Sequence, residues 1–218
     1  MNSLAWSIRA AQEHVSALTS SALTNECEKL VAVVRERCPD AFPHPLPPGG
    51  VGAPIGITPD EAAKVFGVAF SLAVAGGTTP ASGDVVWTSG DDELLVRTGT
   101  VRLVLSDGFA IVGIEVFTEQ TGDAQVSVPF ALGGPGSPLG FVVGTETVPR
   151  GPALIVKRWG THLQGAAWQA LVHSVAGIAA AAGADDQNQP LLPAALTATA
   201  NGLTVLPQAR HPFDRTAP

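Results

Sequence analysis

Tyrosine is absent from this 218-residue chain, methionine occurs once and cysteine twice. Without tyrosine the commonest aromatic anchor of interfaces and stacking platforms is missing, which leaves Trp6, Trp87, Trp159 and Trp168 for any such role. Charged residues make up 14% of the chain, against about 25% in an average soluble domain. A surface so poor in charge rests on Ser, Thr, Gln, Gly and Pro, or is partly covered by another chain. Cations are the scarcer sign: 12 Lys and Arg stand against 19 Asp and Glu, for a formal net charge of −7. Arg150, Lys157 and Arg158 lie near one another, but three cations do not make a stripe that holds a phosphate backbone. Nucleic acid is therefore not an expected partner.

The cysteines are Cys27 and Cys38. On one helix, a separation of eleven residues places them about 16 Å apart along the axis. A disulfide needs Cα atoms within about 7 Å. Free thiols are expected, as in a reducing compartment, and with them a cytoplasmic protein. The N-terminus lacks the cation-then-apolar order of a secretory signal, because Arg9, Glu13 and His14 interrupt it. Residues 165–183 carry no formal charge, but Gln169, His173 and Ser174 lie among Ala and Gly. The composition favours a close-packing buried helix over a membrane span.

Residues 3–37 read as helical. Leu4, Ile8, Ala11, Val15, Leu18 and Ala22 form one apolar stripe, which jumps to Leu23, Cys27, Leu30 and Val34 near Asn25. One helix with a stutter and two helices both fit this pattern. Residues 1–38 are thus an N-terminal helical segment, with Leu4, Ile8, Val15 and Leu18 as a candidate interface. Residues 39–57, rich in Pro and Gly, read as a linker whose proline half is stiff. An α+β domain spans 58–209, and 210–218 reads as a disordered tail.

Within that domain Thr58, Pro59 and Glu61 spell a helix start, and Gly76-Gly77 a stop. Val65, Phe66, Val68, Ala69, Phe70 and Leu72 surround this helix, so it belongs in the core. From about 84 to 156 the pattern becomes a run of β-branched and aromatic strands bounded by turn residues, the last at Phe141–Val148 and Leu154–Val156. Helix follows from about Gly160 to Ala182, and Asn201-Gly202 marks a C-terminal hairpin. Strands in succession, flanked by helices, predict an α+β fold with a largely antiparallel sheet.

Asp107-Gly108 is the clearest two-residue hairpin turn. It sets Ser106 opposite Phe109, Leu105 opposite Ala110, Val104 opposite Ile111, Leu103 opposite Val112 and Arg102 opposite Gly113. Counting on, Val101 faces Ile114 and Thr100 faces Glu115. The Leu103 side is wholly apolar and should meet the helices. The Arg102 side should face solvent or a partner, with Arg102 diagonal to Glu115. A bulge would flip every residue beyond it on one strand.

No motif carries recognisable chemistry. The glycine-rich Gly133–Gly140 stretch has Pro135 and Leu139 where a nucleophile elbow around Ser137 needs glycines. Ser89-Gly90-Asp91-Asp92-Glu93 lacks the alternating carboxylates of a calcium loop. His162 and His173 share a presumed helix face about 16 Å apart, too far for one metal. No cofactor and no metal is expected. The first functional expectation is a non-enzymatic binding or assembly protein, chaperone-like binding included, whose partner is another protein chain or a second copy, not nucleic acid or membrane. The alternative is an enzyme or small-ligand protein with a pocket between sheet and helices, lined by Trp159, His162, Trp168 and His173.

Overall fold

The computed structural model describes residues 54–76, 83–132, 143–144, 149–184 and 191–209. The N-terminal stripe with Leu4, Ile8, Val15 and Leu18, both cysteines and the Gly133–Gly140 loop lie outside the described residues. The fold is α+β, as expected, with two antiparallel sheets and two helices among the described residues. The five-stranded sheet has the order β2 (Asp84–Ser89), β3 (Asp92–Ser106), β4 (Phe109–Thr118), β5 (Gly122–Ala131) and β6 (Val143–Gly144). The three-stranded sheet has the order β1 (Ile55–Ile57), β8 (Gly202–Gln208) and β7 (Leu192–Thr199). The helices are α1 (Pro59–Val74) and α2 (Ala153–Ala181).

The start of α1 follows from its first residues. The Thr58 hydroxyl accepts from the Glu61 amide at 3.3 Å, and the Glu61 carboxylate accepts from the Thr58 amide at 2.7 Å. Pro59 fills the first helical position, where no amide is needed. Val65, Phe66, Ala69 and Phe70 are buried, with the two rings stacked at 5.9 Å. Val65, Phe66 and Phe70 each stabilise the fold by about 1.5–3 kcal/mol through burial. The helix stops at Gly76, whose φ of 64° suits glycine.

The Asp107-Gly108 hairpin has the expected register from Ser106↔Phe109 to Arg102↔Gly113. Gly108 adopts φ 73° in the turn, as this turn type demands. Ala110, Val112 and Ile114 are buried on the inner side together with Leu105, and Arg102 lies exposed on the outer side. Arg102 reaches the diagonal Glu115 at 3.8 Å. Past Arg102 the register shifts, and Arg97, not Thr100, stands opposite Glu115. The expected Val101–Ile114 and Thr100–Glu115 pairs therefore do not form. The extra residues in β3 are odd in number, so its inward side chains change from Leu103 and Leu105 to Leu94, Val96 and Thr98. On the other side of β3 the Thr98 hydroxyl donates to the Gly83 carbonyl, just beyond the Asp84–Arg97 pair of β2 and β3.

Four further sequence expectations are corrected. Leu154–Val156 is not a strand but lies in the first turn of α2, which begins at Ala153 rather than near Gly160. The chain is fixed there by two 2.8 Å hydrogen bonds between Arg150 and Ser127 of β5, and Pro152 then supplies a φ of −57°. In the C-terminal hairpin Thr199 pairs with Gly202, so the loop residues are Ala200 and Asn201, one position earlier than expected. Ile55–Ile57, read as linker, forms a short edge strand on β8 with Ile55 and Ile57 buried. The segment expected as strand from Phe141 to Val148 is not among these corrections: Val143–Gly144 pair with β5 as a strand, and its other residues lie outside the described ones.

Helix α2 runs alongside α1, and its small residues Ala166, Ala167, Ala170 and Gly177 are buried. Their lack of bulk lets the helices and the three-stranded sheet close into one core. No helix among the described residues is long and apolar enough to cross a membrane.

Candidate binding surfaces

The inner face of the five-stranded sheet is covered by the helices, and among the described residues no element covers its outer face. On the hairpin that Asp107-Gly108 closes, Val104, Phe109 and Ile111 point outward. Val104 pairs with Ile111, which pairs with Pro129 of β5, and Phe109 pairs with Ala131. Relative exposures of 58% for Val104, 51% for Phe109 and 42% for Ile111 place these apolar groups in contact with water. Antiparallel sheets that face solvent ordinarily carry polar side chains on that face. One residue pair along the strands the face does become polar, with Arg102 near Glu115, and Arg97 bound to Asp123 at 2.6 Å. The apolar area therefore has a charged border.

A second feature lies at the opposite end of the same sheet. Pairing of β3 with β4 ends at Leu95↔Phe117. Beyond it the β2–β3 hairpin tip and the β4–β5 tip part, and the first turns of α2 stand behind the gap. The groove has a volume of about 590 Å³. Val86, Leu95, Phe117 and Leu154 give it apolar walls. Asp91, Asp92, Glu93 and Glu119 stand around them. The Arg158 guanidinium of α2 pairs with Asp92 and donates to the Ser89 carbonyl. Asp92 also accepts from Gln120 of the β4–β5 tip at 3.3 Å. One carboxylate thus ties both tips to the helix and sets the width of the groove.

Trp159 lines this groove and is 4% exposed. Its ring lies 6.5 Å from Trp87 and 6.2 Å from His162, and His162 lies 6.3 Å from Trp87. The Trp87 indole donates to the Val74 carbonyl at 3.1 Å, which joins β2 to the end of α1. The structure therefore brings Trp159 and His162 together, with Trp87 as a third ring. Trp168 sits elsewhere on α2, against Phe130 at 6.0 Å. His173 lies further along the same helix and is partly buried. Of the four expected lining residues Trp159 borders the groove, while His162, Trp168 and His173 do not. A shallower, more open depression of about 370 Å³ lies between α1 and the β3 irregularity, lined by Lys64, Gly67, Ser71, Thr98 and Gly99 among others. Among the described residues no three His, Cys, Asp or Glu side chains converge to hold a metal ion.

Sequence reasoning expected an outward Arg102 side but did not single out Val104, Phe109 and Ile111 on it. The signal was present, since three apolar residues occupy the side that the turn register assigns to solvent. The groove has no comparable signal, because its walls come from three separate segments of the chain. Comparisons with protein-family models, with curated proteins and with solved structures gave no match.

Proposed function

We propose that this protein is a non-enzymatic binding or assembly protein that engages another protein chain, in trans or as a second copy, through the outer face of its five-stranded sheet. The observation that carries the reading is the exposed trio Val104, Phe109 and Ile111 on paired strands, next to Pro129 and Ala131. Contiguous apolar side chains with a polar rim are the usual form of a protein-interaction patch. The 14% content of charged residues supports the same reading, because a surface covered by a partner needs less charge. A protein partner is favoured over nucleic acid. Arg97, Arg102 and Arg158 are each engaged by a carboxylate, and the chain is acidic overall. A cytoplasmic location accompanies this reading and rests on the expected free thiols.

The test is light scattering of the purified protein across micromolar concentrations, paired with capture from its own lysate. The wild type should have a mass above 22.2 kDa or retain a partner, and the variant V104K/I111K should do neither. A wild type that is strictly monomeric and captures nothing would overturn the reading. A second reading, a ligand site between sheet and helix, is favoured by the groove beside Trp159.

A further inference from the structure

We propose that the groove between the two hairpin tips and the start of α2 binds an extended peptide segment that carries a Lys or Arg beside apolar side chains. This site is separate from the sheet-face patch and does not depend on it. Its chemistry is mixed in a specific way. Leu154 is 62% exposed, Val86 50% and Phe117 36%, so apolar surface lines the groove in contact with water. Around it Asp91, Glu93 and Glu119 have no ion-pair partner among the described residues. Arg158 does not neutralise them, because it is held by Asp92 and the Ser89 carbonyl. Three uncompensated carboxylates beside apolar walls complement a ligand that is both cationic and apolar.

Two observations narrow the ligand class. The carboxylates do not converge on a point, and no metal-holding group of side chains forms among the described residues, which favours a diffuse organic cation over a metal ion. The strand edge then favours a peptide over a free amine. β3 residues Asp92–Leu94 pair with β2 on one side and, among the described residues, have no paired strand on the other, because the β3–β4 ladder ends at Leu95. An extended chain laid in the groove can bond to that open backbone edge while its side chains alternate between the apolar walls and the acidic rim. The volume of about 590 Å³ lies within the usual range of ligand pockets.

The experiment is fluorescence anisotropy of the full-length protein with a fluorescein-labelled hexapeptide of alternating Leu and Lys. A Leu/Glu hexapeptide and spermidine serve as competitors. The variant D91N/E93Q/E119Q should weaken binding about tenfold, since three exposed charge contacts are worth roughly a factor of two each. The variant Q169K/T204K/Q208K makes the same change in net charge at exposed positions away from the groove. It should bind like the wild type, and so should V104K/I111K. Leu154→Ser should weaken binding with no change in charge. The Leu/Glu peptide and spermidine should fail to compete. Equal loss in both charge variants would reduce the effect to general electrostatics and overturn the proposal. No saturable binding, or competition by spermidine as effective as by the peptide, would overturn it as well.

Discussion

Replacing Gly202 by alanine is the sharpest single test of how the second sheet is built. Gly202 has φ 134° and opens β8 beside the edge strand β1. A Cβ there would overlap the Ile57 carbonyl oxygen and lie 3.0 Å from its carbon and 3.2 Å from the Thr58 Cα. All three atoms are backbone and cannot rotate away. The unfavourable φ alone costs an L-residue about 1–3 kcal/mol. Relieving the overlap requires Ile57 to move off Leu203, its partner in the β1–β8 pairing, and disturbs Thr58, a helix cap worth about 1 kcal/mol. With the displaced Ile57–Leu203 pairing adding about 1 kcal/mol, the sum is about 3–5 kcal/mol, a large part of the roughly 5–15 kcal/mol that a folded domain possesses. At about 2–4 °C per kcal/mol for a chain of this size, the melting temperature should fall by about 6–20 °C. Gly56→Ala is the control, because nothing lies within 4 Å of its Cβ position, and it should change stability by less than about 0.5 kcal/mol. Urea unfolding followed by far-UV circular dichroism measures both variants. Equal costs for the two, or a Gly202→Ala variant as stable as the wild type, would refute the close approach of β8 to the β1–α1 junction.

Thr58→Ala removes both the cap and its reciprocal bond with Glu61, and should lower stability by about 1 kcal/mol in the same unfolding assay. Phe66→Ala, at a residue 0% exposed, should cost about 3–5 kcal/mol through loss of burial and the cavity left behind; a cost below 1 kcal/mol would place Phe66 outside the core. Thiol titration of the denatured, unreduced protein should count both cysteines as free. A count near zero would contradict the cytoplasmic location proposed above.

Local chemistry that acts within a few residues was legible in the sequence. The Thr58-Pro59-Glu61 start of α1 and the Asp107-Gly108 turn are of this kind, and the register followed from the turn as far as Arg102. The count then failed where β3 absorbs extra residues around Gly99. An isolated glycine between threonines hints at a bulge, but not at how many residues it holds. Leu154-Ile155-Val156 looked like a strand because its residues are apolar and two are β-branched. It is helical because Arg150 is pinned to Ser127 and because Ile155 and Trp159, four residues apart, are both buried. A short apolar run carries no period of its own, and tertiary contacts decide it. Trp159 lines a groove, but what surrounds it there was not legible. Its neighbours Trp87 and Asp92 come from a hairpin some seventy residues earlier, and no local pattern links them.

The central claim is that a protein chain covers the outer face of the five-stranded sheet, and site-specific photo-crosslinking tests it most directly. A benzophenone amino acid at Ile111, irradiated in the producing cells, should give a discrete product larger than the protein alone. The same probe at Thr204, exposed on the other sheet, should give none. The account predicts an intermolecular product from position 111 that disappears when Val104 is changed to Lys. No product at position 111, products of equal yield from both positions, or crosslinks confined to its own chain would contradict it.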